Sequence, residues 1–595
     1  MDQKEKERIL AQIDALPKGI IAVKTIHGKP YEYWQYRENG KQVTKRVKGE
    51  TLALLQQQIA ERKRLQALLH SGDMLQHPAP ADVSSPLPFH CMTRTGTELL
   101  SFAEPVGAFH TRYMFSELQR YLREPVSDRV LILYGLRRTG KTTMIRQAIL
   151  QMEETMRQRT AFIQISPENT LAHLHEDLRL LESQGFRYVF IDEVTLLDDF
   201  IEGAALFSDI FVASGMKIVL SGTDSLGFVF TKEEQLYDRC ILLHTTLIPY
   251  REFADVLGIA DFDRYIRYGG TMSMGGINYN KDRLPFSDQQ AVNEYINTSI
   301  AQNVQHSLKN YRYGGHFRAL RSLYDAGELT GAINRVVEDI NHRFAADVLR
   351  RTFRSHDLGV SRNNLRKDRQ MPTDVLDHID MEEVTRRLMH LLDIKNQEEQ
   401  RILPEEIHVR EIRSYLALLD LIFEINVEFA EGSIPSAKRT VIAQPGLRFA
   451  QSEALITSLL QDHTFRDIPI EERMRISERI VSEIQGRMME EIILLETMLA
   501  FPHLQVCTLQ FPVGEFDMVV FDPATISCRL YEIKHSRERA PEQYRHLLDE
   551  EKCSIARQLY GTIEEKYVIY RGEEAFEQDI HYLNAESYLC SLGIN

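Results

Sequence analysis

The chain has 595 residues and, with 71 Lys and Arg against 86 Asp and Glu, a net charge of −15; that length calls for several domains, each able to bury its own core. Apolar content of 43% and charged content of 26% are near the globular average, which excludes wholesale disorder, collagen and a coiled-coil rod. The six cysteines, Cys91, Cys240, Cys507, Cys528, Cys553 and Cys590, form no C-x-x-C pair, so neither a disulfide framework nor a zinc ribbon is expected. An acidic sum argues against a nucleic-acid partner, but the distribution of charge decides.

The polar start Met1-Asp-Gln-Lys-Glu-Lys is unlike a signal peptide. Apolar runs such as Val130–Tyr134 and Ile492–Leu495 fall far short of the roughly 20 residues of a membrane span. A soluble, reducing, cytoplasmic location without membrane contact is expected. Residues 3–15 and 50–71 carry apolar side chains at helical spacing. Between them Ile20–Ile26, Tyr31–Arg37 and Gln42–Val47 are expected strands, the last two joined by Asn39-Gly40, a hairpin turn. Over residues 18–48 eight basic side chains stand against Glu32 and Glu38, a local +6, with Tyr31, Tyr33, Trp34 and Tyr36 interleaved. Basic strands with aromatics suit phosphate and base contact; a solvated face over a small aromatic core fits equally well. Pro78, Pro80, Pro86 and Pro88 mark a linker over 73–90.

From about 110 to 250 strands and helices alternate, the pattern of a parallel α/β sheet. Arg129-Val-Leu-Ile-Leu-Tyr134 is a buried strand running into Gly135-Leu-Arg-Arg-Thr-Gly140-Lys141-Thr142, and a helix follows from Thr143. This is G-x-x-x-x-G-K-[ST] between a strand and a helix, the context in which the motif binds a nucleotide. Residues Gly135, Leu136, Arg137, Arg138, Thr139, Gly140, Lys141, Thr142 and Thr143 form the expected cradle. Its N–H groups and the helix N-terminus face the phosphates. Lys141 would reach the β and γ phosphates, and Thr142 would ligate Mg²⁺. Tyr188-Val-Phe-Ile-Asp192-Glu193 is a second apolar strand, with Asp192 placed for the Mg²⁺ shell and Glu193 for polarising the attacking water. Lys217-Ile-Val-Leu-Ser221-Gly-Thr223-Asp224 is a third, with Thr223 and Asp224 as γ-phosphate sensors. Arg239 is a candidate finger toward a neighbouring subunit.

The set GLRRTGKT, YVFIDEV and VLSGTDS, followed by Leu247-Ile-Pro-Tyr-Arg-Glu-Phe253 and Gly269-Gly270, resembles the prokaryotic AAA-type ATPases of the archaeal-ATPase clade. The proline that usually follows the double glycine is absent here. The resemblance spans roughly residues 110–570 and leaves the basic hairpin module outside. It implies ATP as ligand, family roles for the Gly135 loop, Asp192, Glu193 and Thr223, and a ring or smaller homo-oligomer. It also implies a C-terminal domain with a restriction-endonuclease-like fold.

From 250 to about 425 the sequence reads as mostly helical. Residues 343–370 hold eight basic side chains against three aspartates, a second island of +5, which suits a nucleic-acid backbone or plain solvation. Glu405–Ile425 resembles the last helix and wing of a winged helix, and a generic core helix fits the spacing as well. Further on, Gly486-Arg-Met-Met-Glu490 lies on a helix, and Glu515-Phe-Asp517 and Leu530-Tyr-Glu532-Ile-Lys534 begin and end strands. Alternation puts Glu532 and Lys534 on one face. Glu490, Asp517 and Glu532 could share a divalent ion, Mg²⁺ or Mn²⁺, with Lys534 orienting or deprotonating a water. This resembles the PD-(D/E)XK nuclease pattern, and a retained fold without cleavage is the alternative.

The expected fold class is multidomain α/β: a small α+β basic module over 1–72, a linker over 73–108 and a P-loop AAA-type ATPase core over 109–260. A helical lid and winged-helix-like region over 261–430 and a PD-(D/E)XK nuclease-like α/β domain over 431–595 complete it. The expected activity is ATP hydrolysis coupled to handling of DNA. The rival is an ATP-switched signalling or scaffold protein whose last domain only binds a partner.

Overall fold

The computed structural model describes residues 16–62 (except 19, 27–28, 39–40, 48–50, 53, 56–57 and 59–61), 89–125, 129–197, 200, 207–223 and 239–272. It also describes 286–304 (except 288 and 303), 317–352, 384–392 (except 385) and 405–593 (except 433). The expected helix 3–15, most of helix 50–71, the linker up to residue 88, Asp224 and the basic stretch 353–370 lie outside these residues.

Three sheets organise the described residues. In the first, β1 (Ile20–Ile26), β2 (Lys29–Glu38) and β3 (Lys41–Arg46) form an antiparallel meander. Trp34 and Tyr36, two residues apart on β2, share a face. Their rings stack at 4.2 Å, and Lys45 of β3 stands 5.5 Å from the Tyr36 centroid.

The second sheet has the order β4-β6-β7-β8-β5-β9, made of Met92–Arg94, Thr160–Gln164, Tyr188–Asp192, Lys217–Gly222, Val130–Tyr134 and Cys240–His244. Only β4 runs antiparallel. Every residue of β5 is buried, as a strand covered on both faces must be. Val130, Ile132 and Tyr134 pack toward Leu174, Leu178 and Leu181 of α3 (Leu171–Ser183). Leu131 and Leu133 pack toward Met144, Ile145 and Ala148 of α2 (Lys141–Gln151). The helix α1 (Phe115–Arg123) joins this second face. Strand β8 separates the P-loop strand β5 from the acidic strand β7, so the carboxyl ends of β5, β8 and β7 open onto one crevice, where α/β sheets bind ligands.

Two short helices, α4 (Tyr250–Leu257) and α5 (Phe262–Tyr268), and the long α6 (Leu329–Thr352) follow. Next come α7 (Glu406–Leu418) and a mixed eight-stranded sheet of order β11-β10-β12-β13-β14-β15-β17-β16. Strand β10 (Ile422–Phe429) pairs antiparallel with β11 (Ala437–Ile442) and parallel with β12 (Gln505–Gln510). The end of the Glu405–Ile425 segment, expected as a wing, is therefore the start of β10 near the edge of the C-terminal sheet. An edge hairpin and a wing share the same alternating pattern, and the partner strand that decides lies about 80 residues downstream. The sheet consequently begins before residue 431. Strands β13 (Glu515–Asp522), β14 (Ser527–Lys534), β15 (Thr562–Tyr570), β16 (Ala575–Glu577) and β17 (Ile580–Asn584) complete it. Helices α8 (Pro445–Leu460) and α9 (Ile470–Ala500) cover one face, and α10 (Glu550–Tyr560) the other.

One core cluster runs from Ile248 to Leu592 and joins α4 and α5 to the C-terminal sheet. Polar bonds fix this junction. His535, next to Lys534, bonds Asp263 of α5 at 2.8 Å, and Arg571 pairs with the same carboxylate. The His535 bond, then Arg571, holds Asp263 well below the usual carboxylate range. Glu496 of α9 accepts from the Tyr250 backbone N–H at 2.8 Å, at the start of α4, and from the Tyr265 hydroxyl at 3.1 Å. Burial pushes the Glu496 carboxyl up to about 8. A carboxyl raised on folding adds stability that is fully present below its unfolded value near 4.5 and is lost as pH climbs toward 8. With about 1.4 kcal/mol per pKa unit, Glu496→Gln is expected to remove on the order of 3 kcal/mol of that loss. Thermal melts of both proteins from pH 5 to 8 check this. A wild-type slope equal to that of the variant overturns it.

Candidate functional site

The phosphate cradle starts at Gly135, with φ +142°, where an added Cβ would lie 2.6 Å from Thr245 Oγ1; only glycine fits. Arg138 and Gly140 also take positive φ, at 66° and 91°, and their exposed or half-buried backbone turns the loop into α2. Thr139 is buried; its hydroxyl donates to Leu136 O at 2.9 Å and meets Thr245 Oγ1 at 2.7 Å. Lys141 Nζ donates to Gly135 O and Leu136 O at 2.9 and 2.8 Å, and burial draws its ammonium down to about 8. Thr142 and Thr143, both half-buried, follow in the first turn of α2. Arg137 and Arg138 are exposed at the loop's rim.

At the end of β7, Asp192 is buried and accepts from Thr142 Oγ1 at 2.8 Å. Glu193 sits in the left-handed region at φ 55°, a costly conformation for a residue with a Cβ and one found at functional sites. Burial first, then Asp192, raises its carboxyl. Thr223, just past β8, donates to Glu193 Oε2 at 3.4 Å. Lys141, Thr142, Asp192, Glu193 and Thr223 are thus brought together around the loop. Their oxygen donors suit Mg²⁺, which Thr142 and Asp192 would hold. Arg239 is not brought there. It immediately precedes β9, whose Cys240 pairs with Val130 at the opposite end of the sheet, and its guanidinium is paired with Asp209. Within its own chain it does not reach the P-loop.

The second site lies on β13 and β14 beneath α9. Asp517 is buried on β13, one residue before its pairing with β14 begins. Its Oδ2 accepts from the Ile533 backbone N–H at 2.7 Å and from Lys534 Nζ at 2.8 Å. Lys534 also pairs with Glu532 at 2.7 Å. Burial opposes the Lys534 charge, but Asp517 and Glu532 outweigh it and hold its ammonium well above the usual value. Oxygens of Glu490, Glu515 and Asp517 lie within 4.8 Å of one another, close enough to share a cation. Glu532 stands outside that trio. Its Oε1 is buried without a hydrogen-bond partner, and burial followed by Asp517 raises its carboxyl well above the usual range. Burial likewise pushes Glu490 up to about 7. Arg487, one helical turn before Glu490, pairs with both Glu490 and Glu515. When ionised, the four carboxylates outnumber Arg487, Lys534 and the neighbouring Arg439, and this all-oxygen donor set fits one divalent ion such as Mg²⁺ or Mn²⁺.

Glu515 and Arg487 are the residues sequence reasoning missed here. Strand alternation puts Glu515 on the face of Asp517, and helical spacing puts Arg487 beside Glu490. At the nucleotide site it missed Arg112, Thr245 and Thr246, all buried under the loop.

Residues 127–254 match the family model described as AAA domain, and residues 2–57 match one described as a domain of unknown function, DUF6788. No curated protein was found to match the chain. Among solved structures, the Aeropyrum pernix Orc1 protein in complex with DNA is 14% identical, over 62% of this chain and 98% of that one. Its TM-score is 0.22, too low for the superposition to carry an argument. The AAA match, the P-loop and the sheet order agree on an AAA-type P-loop ATPase module. No helix among the described residues is long and apolar enough to cross a membrane.

Proposed function

We propose that the protein couples ATP hydrolysis to the handling of DNA and carries a metal-dependent phosphodiesterase site in its C-terminal domain. The observation that carries the second half is the convergence of Glu490, Glu515 and Asp517 with Lys534 on one edge of β13 and β14. Carboxylates that hold a divalent ion beside an amine are the apparatus of phosphodiester hydrolysis, since the bound ion stabilises charge on the phosphate. Lys534 would orient the attacking water. In the ATPase module, Lys141 would draw charge from the phosphates, Glu193 would take the water's proton, and Thr223 would hold Glu193.

The +6 module supports a nucleic-acid partner, because Trp34 and Tyr36 form a stacked pair flanked by Lys45, as base stacking with phosphate contact requires. The rival is an ATP-switched signalling or scaffold ATPase whose C-terminal domain binds a partner without cleaving. The deciding experiment measures ATPase activity with Mg²⁺ in the presence of duplex DNA, single strands or RNA. Stimulation by DNA supports the proposal, and identical rates with and without every nucleic acid overturn it. Binding has its own signature. The log of duplex affinity against log salt is expected to fall with a slope of about −4 or steeper, as several phosphates are neutralised. Replacing Lys45 and Arg46 with alanine should make that slope shallower by about 2. A flat line removes nucleic acid as partner.

A further inference from the structure

The P-loop is held from below by a side chain that precedes its first glycine by 23 residues. Arg112, 4% exposed, lies just before α1 and makes five hydrogen bonds, using every N–H it has. Nε and Nη2 grip the two oxygens of Glu252 on α4 at 2.9 and 2.7 Å. The remaining hydrogens reach the carbonyls of Thr139, Thr245 and Leu247 at 2.7–2.8 Å. Glu252 is equally buried and also accepts from the Tyr113 backbone N–H at 2.8 Å.

We propose that Arg112, set by Glu252, is a positioning residue of the nucleotide site that aims the Gly140 N–H into the phosphate cradle. The argument is geometric and rests on the ATPase reading. In a trans peptide the C=O of one residue and the N–H of the next point in opposite directions. Arg112 pulls the Thr139 carbonyl down into the protein, so the Gly140 N–H is turned up toward the phosphates. The same holds one residue earlier: the Met272 N–H takes the Arg138 carbonyl at 2.9 Å, which turns the Thr139 N–H the same way. A P-loop binds through such N–H groups, and an unpaired inward carbonyl in this dry floor would let the loop relax. Thr245, whose carbonyl shares the Arg112 fork, also touches Thr139 through its hydroxyl, so the fork fixes the loop against β9 as well.

Arg112→Lys tests this. Lysine keeps the charge beside Glu252, but its three hydrogens on one atom cannot replace a planar five-donor fork. The expected result is a folded protein whose Kd for a fluorescent ATP analogue and KM for ATP rise about tenfold, a loss of about 1.4 kcal/mol, while kcat changes less than about threefold. Hydrogen exchange should also show that ATP no longer protects the Thr139 and Gly140 amides. A Kd and KM within twofold of wild type, with amide protection intact, overturn the proposal, because a merely structural clamp would lower the melting temperature and leave those values alone. Should Arg112→Lys not fold, Glu252→Gln carries the same measurements, since it weakens one side of the grip and leaves the arginine in place. If wild type neither binds nor hydrolyses ATP, the ATPase reading falls and takes this proposal with it. An active wild type with an indistinguishable Arg112→Lys sinks the clamp alone.

Discussion

Lys141→Ala is expected to lower ATP turnover by at least about 10²-fold, as loss of a charge-stabilising donor does, and Glu193→Gln by about 10²- to 10⁴-fold, as loss of a general base does. The two should differ in binding. Lys141 now spends its ammonium on the carbonyls of Gly135 and Leu136, partners it can exchange for the β and γ phosphates when a nucleotide enters. Alanine removes that contact, so affinity falls with rate. Glu193 touches Thr223 at the far side of the crevice; its amide keeps the shape and the acceptor while abolishing basicity. Glu193→Gln should therefore bind ATP like wild type and fail to turn it over. The raised Glu193 carboxyl, caused by burial and then Asp192, adds a pH signature. Turnover must fall as pH drops through that elevated value, because the protonated acid cannot take a proton. Steady-state phosphate release and a binding titration of both variants check these points. Unchanged turnover in either variant refutes the assigned role.

The nucleotide site was legible because its chemistry is local. A glycine at Gly135 is forced by a hydroxyl pair 2.6–2.9 Å from its missing Cβ, and Gly140, Lys141 and Thr142 follow in fixed succession. Asp192 and Thr223 were legible as polar residues at the ends of apolar strands. What supports them was not. Arg112, Thr245 and Thr246 approach the loop from 23 residues before Gly135 or 103 and 104 after Thr142, through bonds to backbone carbonyls and amides that leave no pattern in sequence. Arg239 lies at the amino end of β9, away from the loop of its own chain, so sequence proximity to that strand does not by itself bring it to the site. The Glu405–Ile425 segment misled for a related reason: the pattern of β10 fits a wing, and only its pairing with β12 makes it a sheet edge. In the C-terminal site Asp517, Glu532 and Lys534 were readable from two short strands. The counter-ion Arg487 was not, because its role appears only when α9 lies over β13.

That counter-ion shapes the second large effect. Asp517→Ala and Lys534→Ala are each expected to reduce Mg²⁺- or Mn²⁺-dependent cleavage of plasmid or single-stranded DNA by about 10²- to 10³-fold. Asp517 is the node of the site. It meets Lys534, the Ile533 amide and the Glu490–Glu515 pair, so alanine removes a ligand and leaves Lys534 with Glu532 alone. Lys534→Ala removes the positioning amine and leaves the carboxylates in place. Cleavage that persists equally in both variants sinks the nuclease assignment. A wild-type protein that does not cleave favours the binding-module rival, and a second readout then tests the metal site by itself. A cation that binds only the folded protein at 100 times its Kd stabilises it by about 2.7 kcal/mol, so MgCl₂ or MnCl₂ should raise the wild-type melting temperature by several degrees. Asp517→Ala should abolish that rise. Lys534→Ala should preserve or enlarge it, because the cation paired with Asp517 and Glu532 is gone. A wild type with no metal-dependent shift would mean that Arg487 and Lys534, together with protons held on the raised Glu532 and Glu490 carboxyls, neutralise the cluster, and the domain would then be a retained fold without its metal.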